Sequence, residues 1–295
     1  MTYVAFTAAT LIWGTTFLFI RLGNDVVAPV WSAALRLAFA ALLLTLIARV
    51  TGARFPRGEQ LKTVVLFGIF NFGLNFSLLY WGELQVPSGV AAIFYSSLPL
   101  TTGLLAAVFG LERLDRRRTL VALAAMAGVA TIFAGELSLD VPPLPLLAVF
   151  AAATLSGLAN VLLKRIPAQG AVPVNAVGAG VGAVICLAVS TAVGEEHALP
   201  GSFEGWIPIL YLTLAGSLGA YVIYTWLVAH WPATRASLVG VTAPVIAVIV
   251  GAAVKGERPS VVTLVGATIV LSSVVVGLRL PHAPAPAVRR SADPI

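Results

Sequence analysis

Long apolar stretches follow one another along nearly the whole of this 295-residue chain, and each is long enough to cross a lipid bilayer. Hydrophobic residues make up 59% of the chain and charged residues only 10%, so there is too little charge to cover a water-facing surface. Since backbone polar groups in a bilayer must be satisfied within each segment, and no strand-like alternation is present, we expect helices. The sequence therefore predicts an all-α membrane protein with ten transmembrane helices, at residues 3–21, 30–49, 61–81, 87–110, 118–135, 144–163, 172–193, 205–228, 233–253 and 260–279.

The basic residues predict the orientation of these spans. Ten spans put both termini on one side, and 14 of the 18 basic residues share that side: Arg49, Arg54, Arg57, Lys62, Arg113, Arg116, Arg117, Arg118, Lys164, Arg165, Arg235, Arg279, Arg289 and Arg290. The acidic loop 195–204, which lacks Lys and Arg, falls on the other side. The positive-inside rule then predicts a multi-pass protein of a bacterial inner (plasma) membrane with cytoplasmic N- and C-termini. The proline-rich residues 281–295 are expected to form a disordered cytoplasmic tail.

The sequence also repeats itself at an offset of 145 residues. The matches are Trp81 with Trp226, Pro87 with Pro232, Pro99 with Pro244, Glu112 with Glu257, and Arg113 with Arg258. We interpret residues 3–135 and 144–280 as two copies of one five-helix unit. Because five is odd, the second copy crosses the membrane in the opposite direction, which is the geometry of alternating-access carriers. The alternative is a duplicated bundle that transports nothing.

Several segments of both copies resemble a known family. Span one reads AATLIWGTTFLFIR, span two contains ALRLAFAALLL, and the following segments read YWGELQVPSGVAAIFYSSLPL and HWPATRASLVGVTAPVIAVIV. Over about residues 3–280 the chain resembles the EamA family of the drug/metabolite transporter superfamily, and within it the amino-acid and aromatic-metabolite exporters of the YddG type. The resemblance implies ten helices, a central cavity and export of small metabolites. The first copy departs from the family's Gly-Glu-Arg by having Leu111 before Glu112.

Polar and aromatic side chains inside the spans are the candidates for substrate binding. Arg36 is the sharpest, because a charge within a membrane helix is costly and usually faces a cavity; the alternative is an arginine that reaches the outer interface. For the others the alternatives are helix packing, interhelical hydrogen bonds, or a proline kink whose carbonyl a hydroxyl satisfies. The predicted substrate-binding residues are Trp13, Thr16, Arg36, Asn71, Asn75, Tyr80, Tyr95, Ser96, Asn160 and Tyr221. We interpret Glu112/Arg113 and Glu257/Arg258, at span ends, as structural interface pairs, with gating as the alternative.

The motifs that the sequence lacks narrow the mechanism. No G-x-x-x-x-G-K-[ST] motif is present, so ATP hydrolysis is not expected, and no cluster of His, Cys and carboxylates suggests a metal or another cofactor. No basic–aromatic patch outside the spans suggests nucleic acid. None of the 12 acidic residues is mid-span, so we expect downhill movement or exchange rather than carboxylate-based proton antiport.

These observations predict a non-enzymatic carrier in the lipid bilayer, as a monomer or homodimer. An apolar and aromatic cavity with one cation favours hydrophobic or aromatic amino acids as the exported substrates. A carrier of nucleotide sugars or other phosphorylated metabolites is the alternative within the same fold. A membrane-embedded enzyme or a non-transporting subunit is the alternative from another class.

Overall fold

Every regular element that the computed structural model describes, within residues 1–134, 141–255 and 260–280, is a helix. Proline or a capping side chain begins most of them: Pro29 and Pro143 are first residues of their helices, and Asp115 caps another. The helices are α1 Thr2–Asn24, α2 Pro29–Val50, α3 Glu59–Gly82, α4 Ser88–Tyr95, α5 Leu98–Val108, α6 Arg116–Ile132, α7 Pro143–Leu163, α8 Ala171–Ala192, α9 Phe203–His230, α10 Ala233–Ala236, α11 Val239–Lys255 and α12 Val261–Arg279.

Eight stretches among the described residues are long and apolar enough to cross a membrane, which makes the chain an all-α membrane protein. They are α1, α2, α3, the α4–α5 stretch from Val90 to Val108, α7, α8, α9 and α12. The predicted spans at 118–135 and 233–253 coincide with shorter helices, since α6 and α11 have 17 residues each. Glu257, Arg258 and the predicted tail 281–295 lie outside the described residues.

Two of the predicted spans are interrupted. Ser96 and Ser97 separate α4 from α5, so that Pro99 stands at the start of a helix, where its missing N–H leaves no hydrogen bond unmade. The predicted span 233–253, 145 residues later, differs: Pro244 lies inside α11, and the interruption falls earlier, at Ser237 and Leu238. In both interrupted spans a proline, Pro87 or Pro232, directly precedes the first of the two helices.

Helices α3 and α9 each contain a π-helical segment, in which hydrogen bonds join residues five apart and the turn is wider than in an α-helix. The segments are Gly68–Leu74 and Leu212–Tyr221. Adding the sequence offset of 145 to the first places it inside the second. The widened turns therefore fall at matching positions of the two predicted repeats.

The helices pack across the two halves of the chain. Helix α2 lies along α8 and α6 lies along α12, while α1 packs on α9 and α11, and α7 packs on α3 and α5. Small residues permit close approach. A Cβ atom on Gly266 would lie 2.6 Å from the backbone nitrogen of Ile132 and 2.7 Å from the carbonyl oxygen of Gly128. Outward-facing side chains such as Leu42 and Leu264 stay exposed, as expected for a lipid-facing surface.

The two ends of the bundle differ in charge. At one end, which we name the basic end, the Arg235 guanidinium donates to the Tyr3 hydroxyl (2.9 Å) and to the Leu278 carbonyl. The beginning of α1 and the end of α12 therefore lie together. At the opposite, acidic end, the Glu195 carboxylate accepts from the backbone N–H groups of Val30 (3.1 Å) and Trp31 (2.8 Å), and so caps α2.

Candidate functional site

A cavity lies inside the bundle where α1, α2, α3, α9 and α11 meet the interrupted α4–α5 span. Its volume is about 60 Å³, which is room for a few water molecules. It is lined by Trp13, Thr16, Ile20, Arg36, Phe76, Leu79, Tyr80, Tyr95, Leu98, Tyr221, Gly240 and Ala243. Six of the ten residues that the sequence singled out belong to this lining: Trp13, Thr16, Arg36, Tyr80, Tyr95 and Tyr221.

Arg36 is the polar centre of the cavity. Its side chain is only 2% exposed, so it does not reach the outer interface as the alternative interpretation required. Its Nε donates to the Ser217 hydroxyl (2.9 Å) and its Nη1 to the Tyr80 hydroxyl (3.1 Å). The guanidinium carbon lies 4.7 Å from the centre of the Phe76 ring, within cation–π distance.

The charge of Arg36 is fixed in place and has no carboxylate beside it. Among the described residues three ion pairs are formed, by Lys62 with Glu59 and by Arg118 with Glu112 and Asp115, and none of them includes Arg36. Within the described part of the chain, hydroxyls and a ring hold this buried cation, which keeps a strong attraction for an anion because little water screens it. The guanidinium fork matches a carboxylate in particular.

Aromatic rings form the wall around this charge. The Trp13 ring lies 4.9 Å from Tyr221 and 4.8 Å from Tyr224, measured between ring centres. Phe76 stacks against Tyr80 at 5.9 Å. Next to Trp13, Gly14 lets α1 approach α11, since a Cβ there would meet the Ile246 side chain at 2.5 Å. The wall suits a ligand with an apolar or aromatic portion.

The other four predicted residues make contacts within the protein and are not part of the lining. Asn75 exchanges two hydrogen bonds with the Tyr95 hydroxyl, at 2.8 and 3.0 Å, and thereby orients a ring that does line the cavity. The other three residues also form hydrogen bonds within the protein: Ser156 donates to Asn71 (2.9 Å), Asn160 donates to Tyr224 (3.0 Å), and Ser96 donates to the Ile93 carbonyl. These are the interhelical and kink-satisfying roles that the sequence analysis left open.

Sequence reasoning missed part of the lining, although a signal was present. The offset of 145 relates Phe76 to Tyr221, Tyr95 to Gly240, and Leu98 to Ala243, and all six residues line the cavity. The offset relates Tyr95 to Gly240, and glycine has no side chain that would mark it as a binding residue. No comparable signal indicates Ser217, which is one polar residue among many in α9 until the fold places it beside Arg36.

A second cavity, of about 260 Å³, lies at the basic end among α5, α6, α10 and α12. Glu112 and Thr234 are part of its lining and join the two halves of the chain: Glu112 accepts hydrogen bonds from the backbone N–H (3.3 Å) and the hydroxyl of Thr234. Glu112 also faces Arg118 at 3.6 Å. The contacts of Glu112 thus tie α5, α6 and α10 together.

Metal binding finds no support in the described part of the chain, where no group of three or more His, Cys, Asp or Glu side chains converges. Nor do the cavity residues include a nucleophile paired with a base.

Known proteins resemble this chain over most of its length. The EamA-like transporter family matches residues 1–134 and 143–279. The "uncharacterized inner membrane transporter YedA" of Escherichia coli K12 is 26% identical over 270 residues, which is 91% of this chain and 87% of that protein. The "uncharacterized transporter YdfC" of Bacillus subtilis is 25% identical over 264 residues, covering 89% of this chain and 86% of that protein.

Two further proteins are similar to this chain, one over part of its length and the other in fold. A "probable terminal-alkyne amino-acid exporter" of Streptantibioticus cattleyicolor is 33% identical over 120 residues, which is 41% of this chain and 40% of that protein. A solved crystal structure superposes with a TM-score of 0.77 at 18% identity, covering 94% of this chain and 96% of the other, and it shows the fold alone.

Proposed function

This chain belongs to the EamA-like transporter family, and on that basis we propose that it exports amino acids with hydrophobic or aromatic side chains across an inner membrane. Transport occurs by alternating access, without ATP hydrolysis and without a catalytic activity. The names of YedA and of the alkyne amino-acid exporter support the inner membrane and the amino-acid cargo respectively.

The observation that carries the substrate class is the isolated Arg36 charge within an aromatic wall. One guanidinium that no carboxylate neutralises among the described residues binds one anionic group of a substrate, and the surrounding rings bind an apolar side chain. The proposed substrate-binding residues are Trp13, Thr16, Arg36, Tyr80, Tyr95 and Tyr221. Asn75 supports Tyr95, while Asn71, Ser96 and Asn160 hold the helices around the cavity.

The substrate contacts divide by chemistry. The carboxylate of the amino acid binds Arg36, which Ser217 and Tyr80 hold in a fixed orientation. Its side chain packs among Trp13 and Tyr221. A phosphorylated metabolite carries about two negative charges. Among the described residues that line the cavity, Arg36 is the single Lys or Arg, so the carboxylate fits better.

Alternating access requires two related halves, and we propose that the chain has ten spans in two inverted five-helix repeats, 3–135 and 144–280. The packing supports this. Helix α1 packs on α9 and α11, and its counterpart α7 packs on α3 and α5, which lie at the corresponding places in the other half. The pairs α2–α8 and α6–α12 each join a helix to its own counterpart. The matching π-helical segments and the three pairs of cavity residues at the same offset also support it. Arg235 contacts both Tyr3, near the beginning of α1, and Leu278, near the end of α12. The first and last helices therefore have these ends on one side, which supports an even number of membrane crossings.

The cavity volume of about 60 Å³ is too small for a free amino acid, so substrate enters only when the helices separate. By the positive-inside rule, we propose that the basic end faces the cytoplasm. The contact of Glu112 with Thr234 would then have to open on the cytoplasmic side for substrate to load.

Reconstituted vesicles test the proposal. Purified protein in proteoliposomes should exchange labelled phenylalanine for unlabelled phenylalanine, leucine or tryptophan, and should ignore a sugar phosphate. Cells lacking the gene should be hypersensitive to dipeptides that release these amino acids. Failure to exchange any member of an amino-acid panel, with correctly inserted protein, would contradict export of amino acids.

A further inference from the structure

Glu83 is a buried carboxylate just beyond the cavity. It is the first residue after α3, and its side chain is 5% exposed. Leu79 and Glu83 are four residues apart and therefore share a face, and Leu79 lines the cavity. On α1 the same relation links Ile20, which lines the cavity, to Asn24. The carboxylate thus lies about one helical turn from the cavity, toward the acidic end.

The Glu83 carboxylate is without a hydrogen-bond partner among the described residues, for both of its oxygen atoms. The Oδ1 atom of nearby Asn24 is unpartnered as well, while its Nδ2 donates to the Tyr80 carbonyl at 3.4 Å. The charged and titratable groups that bear on Glu83 are Arg21 of α1, Tyr80 of α3 and Tyr95 of α4. Arg21 forms none of the described ion pairs with it.

An ionised carboxylate is expensive to bury without hydrogen bonds, whereas the neutral acid costs much less. Burial raises the pKa of Glu83 from 4.5 to about 8, and the positive charge of Arg21 opposes this only in part. In the arrangement that the structure shows, the neutral acid is therefore the favoured form at neutral pH. Exchange of this proton with water requires separation of the helices around Glu83.

We propose that Glu83 is a proton-binding site whose loading and release accompany the transport cycle, so that export of the substrate is coupled to proton entry. This rests on the proposed function. Glu83 takes up one proton on a carboxylate oxygen from the medium at the acidic end when that end is open, is buried as the neutral acid when that end closes, and gives the proton to water that enters from the basic end when the bundle opens there. The sequence predicts no carboxylate-based proton coupling, because none of its acidic residues is mid-span. Glu83 is shielded from water by the helices packed around it and not by its depth in the membrane.

Infrared difference spectroscopy tests the site without any substrate. The full-length protein in lipid is titrated from acid to alkaline pH, and we expect a protonated-carboxyl band that disappears in the wild type near neutral to mildly alkaline pH. Glu83→Gln should lack this band, while Glu196→Gln, which alters an exposed carboxylate of the loop between α8 and α9, should retain it. Identical spectra for wild type and Glu83→Gln would overturn the proposal.

Transport of labelled phenylalanine provides the second measurement. We expect a pH gradient, acidic on the side of the acidic end, to raise wild-type concentrative flux several-fold. Glu83→Gln should lose this stimulation but keep phenylalanine exchange, which needs no net proton movement. Stimulation that persists in Glu83→Gln, or concentrative flux by the wild type that no pH gradient affects, would contradict coupling. If the wild type moves no phenylalanine at all, it is the proposed function that fails, and the infrared titration alone decides whether Glu83 binds the proton.

Discussion

Glu112 and Thr234 are 122 positions apart in the chain, yet the Glu112 carboxylate accepts hydrogen bonds from both the backbone N–H and the hydroxyl of Thr234. The contact satisfies an N–H at the beginning of α10, which no side chain within α10 caps. It also joins the first half of the chain to the second at the basic end. Separation of the halves at that end has to break it.

The first prediction concerns this contact as a closure of the basic end. In a background with Cys186→Ser, a cysteine introduced at Leu98, which lines the central cavity, reports access of a membrane-impermeant maleimide. We expect Glu112→Gln or Thr234→Val to increase labelling from the basic end several-fold, because loss of a charge-assisted hydrogen bond costs about 1.5–3 kcal/mol. Glu59→Gln, which alters an exposed pair with Lys62, is the control. Unchanged labelling in both variants would show that the contact does not limit access.

The second prediction concerns Arg36 as the carboxylate contact. Arg36→Ala should weaken phenylalanine binding roughly 10- to 100-fold, which corresponds to the loss of a charge-assisted hydrogen bond. Arg36→Lys should retain part of the affinity, because it keeps the charge and loses the fork. Phenethylamine, which lacks the carboxylate, serves as the matched ligand in calorimetric titrations. If Arg36→Ala weakens phenethylamine and phenylalanine equally, the arginine does not bind the carboxylate.

The third prediction separates two asparagines of one helix. Asn75→Ala should lower phenylalanine affinity, because it frees the Tyr95 ring from two hydrogen bonds. Asn71→Ala should destabilise the protein by about 1 kcal/mol, since it leaves Ser156 without its amide partner, and should leave affinity unchanged. Binding titrations and thermal unfolding in detergent distinguish the two. An affinity loss in Asn71→Ala as large as that in Asn75→Ala would place Asn71 at the substrate instead.

The fourth prediction concerns the pairing of α6 with α12. Gly266→Ala brings a Cβ to 2.6 Å from a backbone atom, which no side-chain adjustment can relieve, so we expect destabilisation of about 1–3 kcal/mol. Gly201→Ala, where a Cβ meets open space, should be neutral. Melting temperatures of the two variants in the same detergent provide the comparison. Equal melting temperatures would mean that the two helices are not in close contact in solution.

The fifth prediction is a pH dependence of stability. The pKa of Glu83 rises on folding from 4.5 to about 8, so the folded protein holds a proton that the unfolded chain gives up. The stabilisation from Glu83 is therefore complete below about pH 4.5 and is lost as the pH rises toward 8. The melting temperature of Glu83→Gln relative to the wild type should increase over this interval and then level off. A difference that is independent of pH would show that Glu83 titrates alike in both states.

Several features of the site could be predicted from the sequence because their cost in a membrane is independent of the fold. A charge inside an apolar helix, as at Arg36, has to face a cavity or a partner, and it does. The offset of 145 relates prolines and tryptophans in the sequence, and it also relates residues of the cavity wall such as Tyr95 and Gly240.

Other features depend on which helices become neighbours, and no local pattern encodes that. Asn71 and Asn75 have the same chemistry and share a helix face, yet one meets Ser156 and the other meets Tyr95. Glu83 looks like a loop residue in the sequence, and only packing against other helices removes it from water. The break between α10 and α11 likewise falls at Ser237, although Pro244 is the stronger helix breaker.

The wide turns in α3 and α9 have a geometric consequence for the cavity. Each residue advances an α-helix by about 100°, so conversion of one i→i+5 turn to i→i+4 bonding turns the rest of that helix about its own axis by an angle of this order. Phe76 and Tyr80 follow the segment Gly68–Leu74, and Tyr221 ends the segment Leu212–Tyr221. Twisting of two helices about their axes, besides rocking of rigid halves, is thereby a motion that would turn these aromatic rings toward or away from the cavity.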